Sequence, residues 1–132
     1  MTARSRTEAL AALGRIADLL KERDLGRLSA ARVAEAAAQD RLDGIERAAG
    51  QVRATVARSA DILDVARGEQ VLDRLSRQRQ AGIAALALAR ARMLQERQAA
   101  GRSFGWADVL NRLARQAGTE AAGARLRRET PS

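Results

Sequence analysis

The chain has 132 residues, and its 24 Lys and Arg against 16 Asp and Glu give it a net charge of +8 at pH 7. It contains no His and no Cys, which excludes disulfides and removes the usual general base and the usual ligands of transition metals. One Phe, one Trp, a single proline near the end and an excess of Ala, Leu, Arg, Gln and Glu predict one all-helical domain over residues 1–132 with a thin core.

The first predicted helix covers residues 5–60. Ser5 and Glu8 have the spacing of a capping box ahead of an apolar pattern. The first row of residues that we expect this helix to bury against another helix is Leu10, Leu13, Ala17 and Leu20, with Ile16 and Leu19 widening the row. The pattern then shifts and restarts near Leu28, which we interpret as a stutter within one helix. A short bend at residues 26–29 is the alternative.

The clearest pattern in the chain is a seam, by which we mean the row of mainly apolar residues that one helix buries against another. Its members are Leu28, Ala31, Glu35, Ala38, Leu42, Ile45, Ala49, Val52, Val56, Ser59, Leu63 and Ala66. Alternating steps of three and four, sustained over about five heptads, are typical of a coiled-coil helix that needs a partner helix. Because the seam is rich in Ala, we expect the two helices to pack closely.

A second helix is predicted over residues 69–118, after a turn between Ser59 and Gly68. Its apolar positions are Val71, Leu72, Leu75, Ile83, Leu86 and Met93. Two cap signals compete for its start, one at residues 59–61 and one at residues 67–69, and the long seam of the first helix favours the later one or a gradual turn.

Glycines and a serine at residues 101–106 interrupt the second helical pattern and leave room for a short C-terminal helix. Beyond Gly118 the apolar pattern fades, and residues 124–132 are predicted to be a frayed tail. The expected fold is therefore all-α: an elongated antiparallel two-helix coiled-coil hairpin.

We predict no catalytic, cofactor-binding or metal-binding residues. Carboxylates one turn apart, such as Asp40 and Asp43, are more typical of a solvated helix face. Phe104 and Trp106 are candidate partner-binding residues, because aromatic side chains are enriched at interface hot spots. The pattern favours the other interpretation, in which both side chains pack over the open end of the hairpin.

The layout resembles the flagellar type III export stalk proteins, the FliJ family, which are related to the YscO proteins of injectisomes. The resemblance covers about residues 5–100 and rests on chain length, the opening Leu10-Ala11-Ala12-Leu13, the long seam and the segment Gln70-Val71-Leu72-Asp73-Arg74-Leu75. It implies a helical hairpin, similar to the coiled coil of the rotary ATP synthase gamma subunit, that links an export ATPase ring to the membrane export gate. In the family this part of the second helix contacts the gate, which implies that Val71 and Leu75 bind a partner.

The leading expectation is a cytoplasmic, non-enzymatic interaction protein that reaches the membrane only through its protein complex and does not insert into it. One alternative is a basic helical protein that binds nucleic acid or the nucleoid; another is a self-associating coiled-coil scaffold. The basic residues are spread evenly along the chain, which argues against a nucleic-acid-binding arm. The sequence leaves the oligomeric state open.

Overall fold

The computed structural model describes residues 2–130, and nearly all of them belong to two helices, α1 (Ala3–Arg58) and α2 (Ile62–Glu129). No strand occurs among the described residues. The helices run antiparallel and pack against each other, so the predicted all-α helical hairpin is confirmed. Packing divides the chain into two units: unit 1 combines Met1–Leu28 with Gln95–Ser132, and unit 2 is Ser29–Leu94.

Helix α1 begins two residues before the predicted capping box. The backbone N–H of Ser5 donates to Thr2 Oγ1 at 3.1 Å, so Thr2 is the N-cap residue and Ser5 lies inside the first turn. Glu8, expected to reach back to the helix start, instead pairs with Arg4 at 3.3 Å.

The turn occupies residues 59–61, within the predicted interval, but α2 starts at the earlier of the two cap signals. Asp61 caps α2, because its Oδ1 accepts the backbone N–H of Leu63 at 3.0 Å. The Ser59 hydroxyl accepts the backbone N–H of Asp61 at 3.3 Å and closes the turn. The prediction that the second helix begins at residue 69 was wrong, since Gly68 lies inside α2 without a positive φ.

Helix α2 is continuous across residues 101–106 and on to Glu129, so the predicted break, the separate C-terminal helix and the fraying of residues 124–129 were wrong. The last two residues of the predicted tail lie outside the described residues. A glycine inside a helix costs about 1 kcal/mol. The nearby seam contacts offset this cost, because Ala100 and Ala107 are 5% and 2% exposed.

In unit 2, burial follows the predicted seam as far as Ser59 and not beyond. The buried or half-buried members are Ala31, Glu35, Ala38, Leu42, Ile45, Ala49, Val52 and Val56 in α1, and Ser59 in the turn. Leu63 is 65% exposed and Ala66 is exposed, so the last two predicted members were wrong. They lie past the turn, where α2 follows its own seam. That seam consists of Val65, Gly68, Leu72, Leu75, Gly82, Leu86, Ala89 and Met93, all buried or half-buried.

Arginines from α2 reach carboxylates of α1 along one flank of the unit 2 seam. Arg79 pairs with Glu46 at 3.3 Å, and Arg90 pairs with Glu35 at 3.4 Å. Arg90 also donates to Gln39 Oε1 at 3.0 Å. These contacts are largely exposed, so we expect them to contribute more to helix alignment than to stability.

In unit 1 the seam continues without the predicted stutter. Its α1 members are Leu10, Gly14, Ala17, Lys21, Asp24 and Leu28, and its α2 members are Ala100, Ser103, Ala107, Leu110, Ala114 and Ala117. Leu13 and Leu20, which the apolar pattern assigned to the seam, are 48% and 41% exposed. Small or polar residues occupy the seam instead. Of the two charged ones, Asp24 meets the Ser103 hydroxyl and Lys21 lies over the Phe104 ring.

Gly68 tests how closely the helices approach. A Cβ on Gly68 would overlap Val56 Cγ2, whereas a Cβ on Gly50 would meet no atom within 4 Å. Both residues lie inside helices, so Ala should gain about 1 kcal/mol of helix propensity at either position. We expect Gly50→Ala to raise the melting temperature and Gly68→Ala to lower it, because overpacking typically costs about 1–3 kcal/mol. Equal melting temperatures for the two variants, measured by circular dichroism, would contradict the close approach.

Candidate partner-binding face

Unit 1 leaves six large apolar side chains 40% or more exposed on one side of its helix pair. We call this set the apolar face: Leu13 48%, Ile16 54%, Leu20 41%, Trp106 65%, Val109 43% and Leu113 40%. Single exposed apolar residues are normal on proteins, but a contiguous group of this kind marks an interaction surface.

The helical register places the six residues together. Each immediately precedes a seam residue, and each helix contributes three of them at steps of three and then four. In an antiparallel helix pair, the residues that precede the seam on both helices lie on the same side of the pair. A shallow groove of about 330 Å³ shows this arrangement for four of the six, because Leu13, Ile16 and Leu20 line it together with Trp106.

The two aromatic residues singled out from the sequence lie on opposite flanks of the unit 1 seam. Trp106 precedes the seam residue Ala107 and belongs to the apolar face. Phe104 follows the seam residue Ser103, and its ring centroid lies 5.0 Å from Lys21 Nζ, a cation–π distance. The structure therefore does not join Phe104 and Trp106 into one site.

Val71 and Leu75, the residues implied to bind an export gate, lie in unit 2 and are half-buried. Leu75 lines a groove with Ile45 of α1, and Val71 lines another with Val52. Both therefore pack against α1 with part of their surface, and their role in gate binding stays a prediction.

A polar layer lies in the unit 1 seam beside the apolar face. Asp24 is 4% exposed; its Oδ2 accepts a hydrogen bond from the Ser103 hydroxyl, and its Oδ1 pairs with Arg23 at 3.2 Å. The Ser103 hydroxyl, and then Arg23, lower the pKa of Asp24 from its ordinary value near 3.8, against the opposing effect of burial. On the same flank as Phe104, Asn111 donates to Asp18 Oδ1 at 3.3 Å.

Sequence reasoning found Trp106 but assigned Leu13 and Leu20 to the core, and it did not single out Val109 or Leu113 as site residues. The signal that identifies them is a second row of apolar residues with the same spacing as the seam, displaced by one residue. A helix that contacts two neighbours carries two such rows.

Within residues 2–130, neither helix contains a stretch apolar enough to cross a lipid bilayer, and no cluster of Asp and Glu is placed to hold a metal ion. Comparison with protein-family models, curated proteins and solved structures gives no significant match.

The polar layer predicts a specific acid sensitivity. Because the pKa of Asp24 is lowered in the folded chain, its ionised carboxylate stabilises the fold above about pH 4, and this contribution is lost as pH falls through the lowered value. We therefore expect the melting temperature to fall more between pH 7 and pH 3 in the wild type than in Asp24→Asn. Asp40→Asn, which removes an exposed carboxylate, is the matched control and should follow the wild type. Parallel curves for all three proteins would contradict the assignment.

Proposed function

We propose that this chain is a cytoplasmic, non-enzymatic interaction protein, and specifically the stalk of a type III protein export complex that contacts the export ATPase ring and the export gate. The observation that carries the interaction role is the apolar face of unit 1, which exposes Trp106 and five aliphatic side chains in one groove-bearing surface. The antiparallel hairpin of α1 and α2 agrees with the fold that the resemblance to export stalk proteins implies.

The side-chain chemistry favours binding over catalysis. The chain has no His or Cys, and a binding surface needs neither. Trp is enriched among the residues that carry most of the binding energy, and large aliphatic residues around it supply the apolar area found in the buried core of an interface. A stalk needs side chains that bind a partner protein, and the apolar face can do so without a catalytic group.

The apolar face can be tested by affinity capture from native cells. We expect the wild type to co-purify with an export ATPase and an export gate component, and Leu20→Ser combined with Trp106→Ser to lose at least one of them. Trp106 is 65% exposed and Leu20 is 41% exposed, so the melting temperature should fall less than it does when a buried seam leucine such as Leu42 is replaced by Ser. Leu88→Ser is the control, since Leu88 is 76% exposed and lies in unit 2. Capture without an export ATPase would refute the stalk, and unchanged capture by the double variant would refute the role of the apolar face.

The gate contact at Val71 and Leu75 needs a control for folding, because both residues are half-buried. We expect Val71→Ala with Leu75→Ala to lower the melting temperature and to abolish capture of the gate component. Val52→Ala with Ile45→Ala removes the facing walls of the same two grooves and should lower the melting temperature similarly. The control variant should retain the gate component. If both double variants lose it equally, the loss reflects folding and the site assignment is wrong.

A further inference from the structure

We propose that the apolar face binds an amphipathic α-helix of another protein that carries carboxylates at one end, forming a three-helix bundle with unit 1. This inference rests on the proposed function only in that a partner protein docks on the apolar face. It does not depend on the partner being part of an export complex.

The shape of the surface fits a helix. Leu13, Ile16 and Leu20 form one row on α1, and the row on α2 has the same spacing. Each row covers two turns, or about 11 Å at 1.5 Å per residue. The groove between the rows has Ala17 and Leu110 in its floor, so a third helix laid along it would contact both rows. Such packing is how an apolar helix face docks into a groove between two helices.

The charges at the ends of the two rows select the partner. On α1 the row continues into Arg23 and Arg27, and on α2 it begins at Arg102. Because the helices are antiparallel, all three arginines lie at the same end of the apolar face. Arg23 already pairs with Asp24, and the charge of Arg27 also helps to lower the pKa of Asp24, but neither Arg27 nor Arg102 forms an ion pair with another residue between 2 and 130. Two cations without an ion-pair partner at one end favour carboxylates on the docking helix there, and they set its direction.

The opposite end of the apolar face has no such excess of positive charge. There the α1 row ends at Arg6 and the α2 row ends at Glu120, so one charge of each sign is present. A partner helix with carboxylates at one end only therefore matches the surface better than one that is acidic throughout.

A second copy of this chain fits less well. It would bring four more arginines and only one glutamate to the contact, and like charges juxtaposed across an interface are repulsive. A membrane surface also fits less well, because four of the six apolar side chains line a groove between two helices. Helices that bind at membrane interfaces present a convex apolar stripe instead.

Trp106 is the only Trp in the chain, and it lies in the apolar face, so its fluorescence reports occupancy directly. The probe is a synthetic amphipathic peptide of roughly 18 residues with Leu at steps of three and four and Glu in its first turn, long enough for marginal helicity alone. We expect a saturable blue shift of Trp106 emission. A peptide with Lys in place of Glu should bind about tenfold more weakly, the ratio that two or three exposed ion pairs can supply.

Charge reversal on the protein supplies the decisive comparison. Arg27→Glu with Arg102→Glu should invert the preference toward the Lys peptide, while Arg32→Glu with Arg77→Glu, at exposed positions in unit 2, should leave the preference unchanged. Circular dichroism melts establish that each variant folds.

Three results would overturn the proposal. The first is binding that is equal for both peptides, or whose charge preference survives reversal at Arg27 and Arg102. The second is a blue shift with anionic phospholipid vesicles but with neither peptide. The third is a concentration-dependent blue shift without peptide, accompanied by a dimer mass in sedimentation. Capture of export components plays no part in these measurements, so the stalk proposal and this inference can fail separately.

Discussion

Close approach of the two helix backbones is the constraint on which the other features of the molecule depend. The seam positions hold many Ala and Gly residues, and at Gly68 even one added carbon would collide with Val56. A seam of small residues buries little apolar area per turn. The helix pair is therefore stabilised mainly by the many van der Waals contacts that close packing allows. The same seam has little room for large side chains. In unit 1 the bulky apolar residues accordingly stand beside it, where a partner can reach them.

The parts of the fold that follow regular periodicity could be predicted from the sequence. From Ala31 to Ser59 hydropathy and geometry agree, because the apolar residues are also the residues that face α2. In residues 10–28 they disagree: Leu13 and Leu20 are the most apolar choices, yet Gly14 and Lys21 face the partner helix. When the residues that face the partner helix are small or charged, hydropathy places the seam one residue away from its true position. The correct position depends on which side chains of the opposite helix meet it.

The predicted break in α2 at residues 101–106 was wrong for a related reason. The glycines around Ser103 suggest a loop when α2 is considered alone, but Ser103 faces Asp24 and the helix continues through it. Tertiary contacts override a propensity cost of about 1 kcal/mol per glycine. For the candidate site, composition identified Trp106 because it is the only Trp, whereas its aliphatic neighbours could be grouped with it only after the register of the two helices was known.

The polar layer connects the fold to the candidate site. A buried polar residue at a seam position reduces stability in many coiled coils but selects one alignment of the helices, because other alignments leave it without a partner. Asp24 finds a donor in Ser103 only when the two helices have the observed register. That same register brings the row at Leu13, Ile16 and Leu20 beside the row that begins at Trp106. A slip of one heptad would replace Ser103 opposite Asp24 with Leu110 or Glu96, neither of which donates a hydrogen bond, and would also offset the two rows by about 10 Å. The Asp24 carboxylate therefore aligns the two rows of the apolar face, because it favours the one helix register in which they lie side by side.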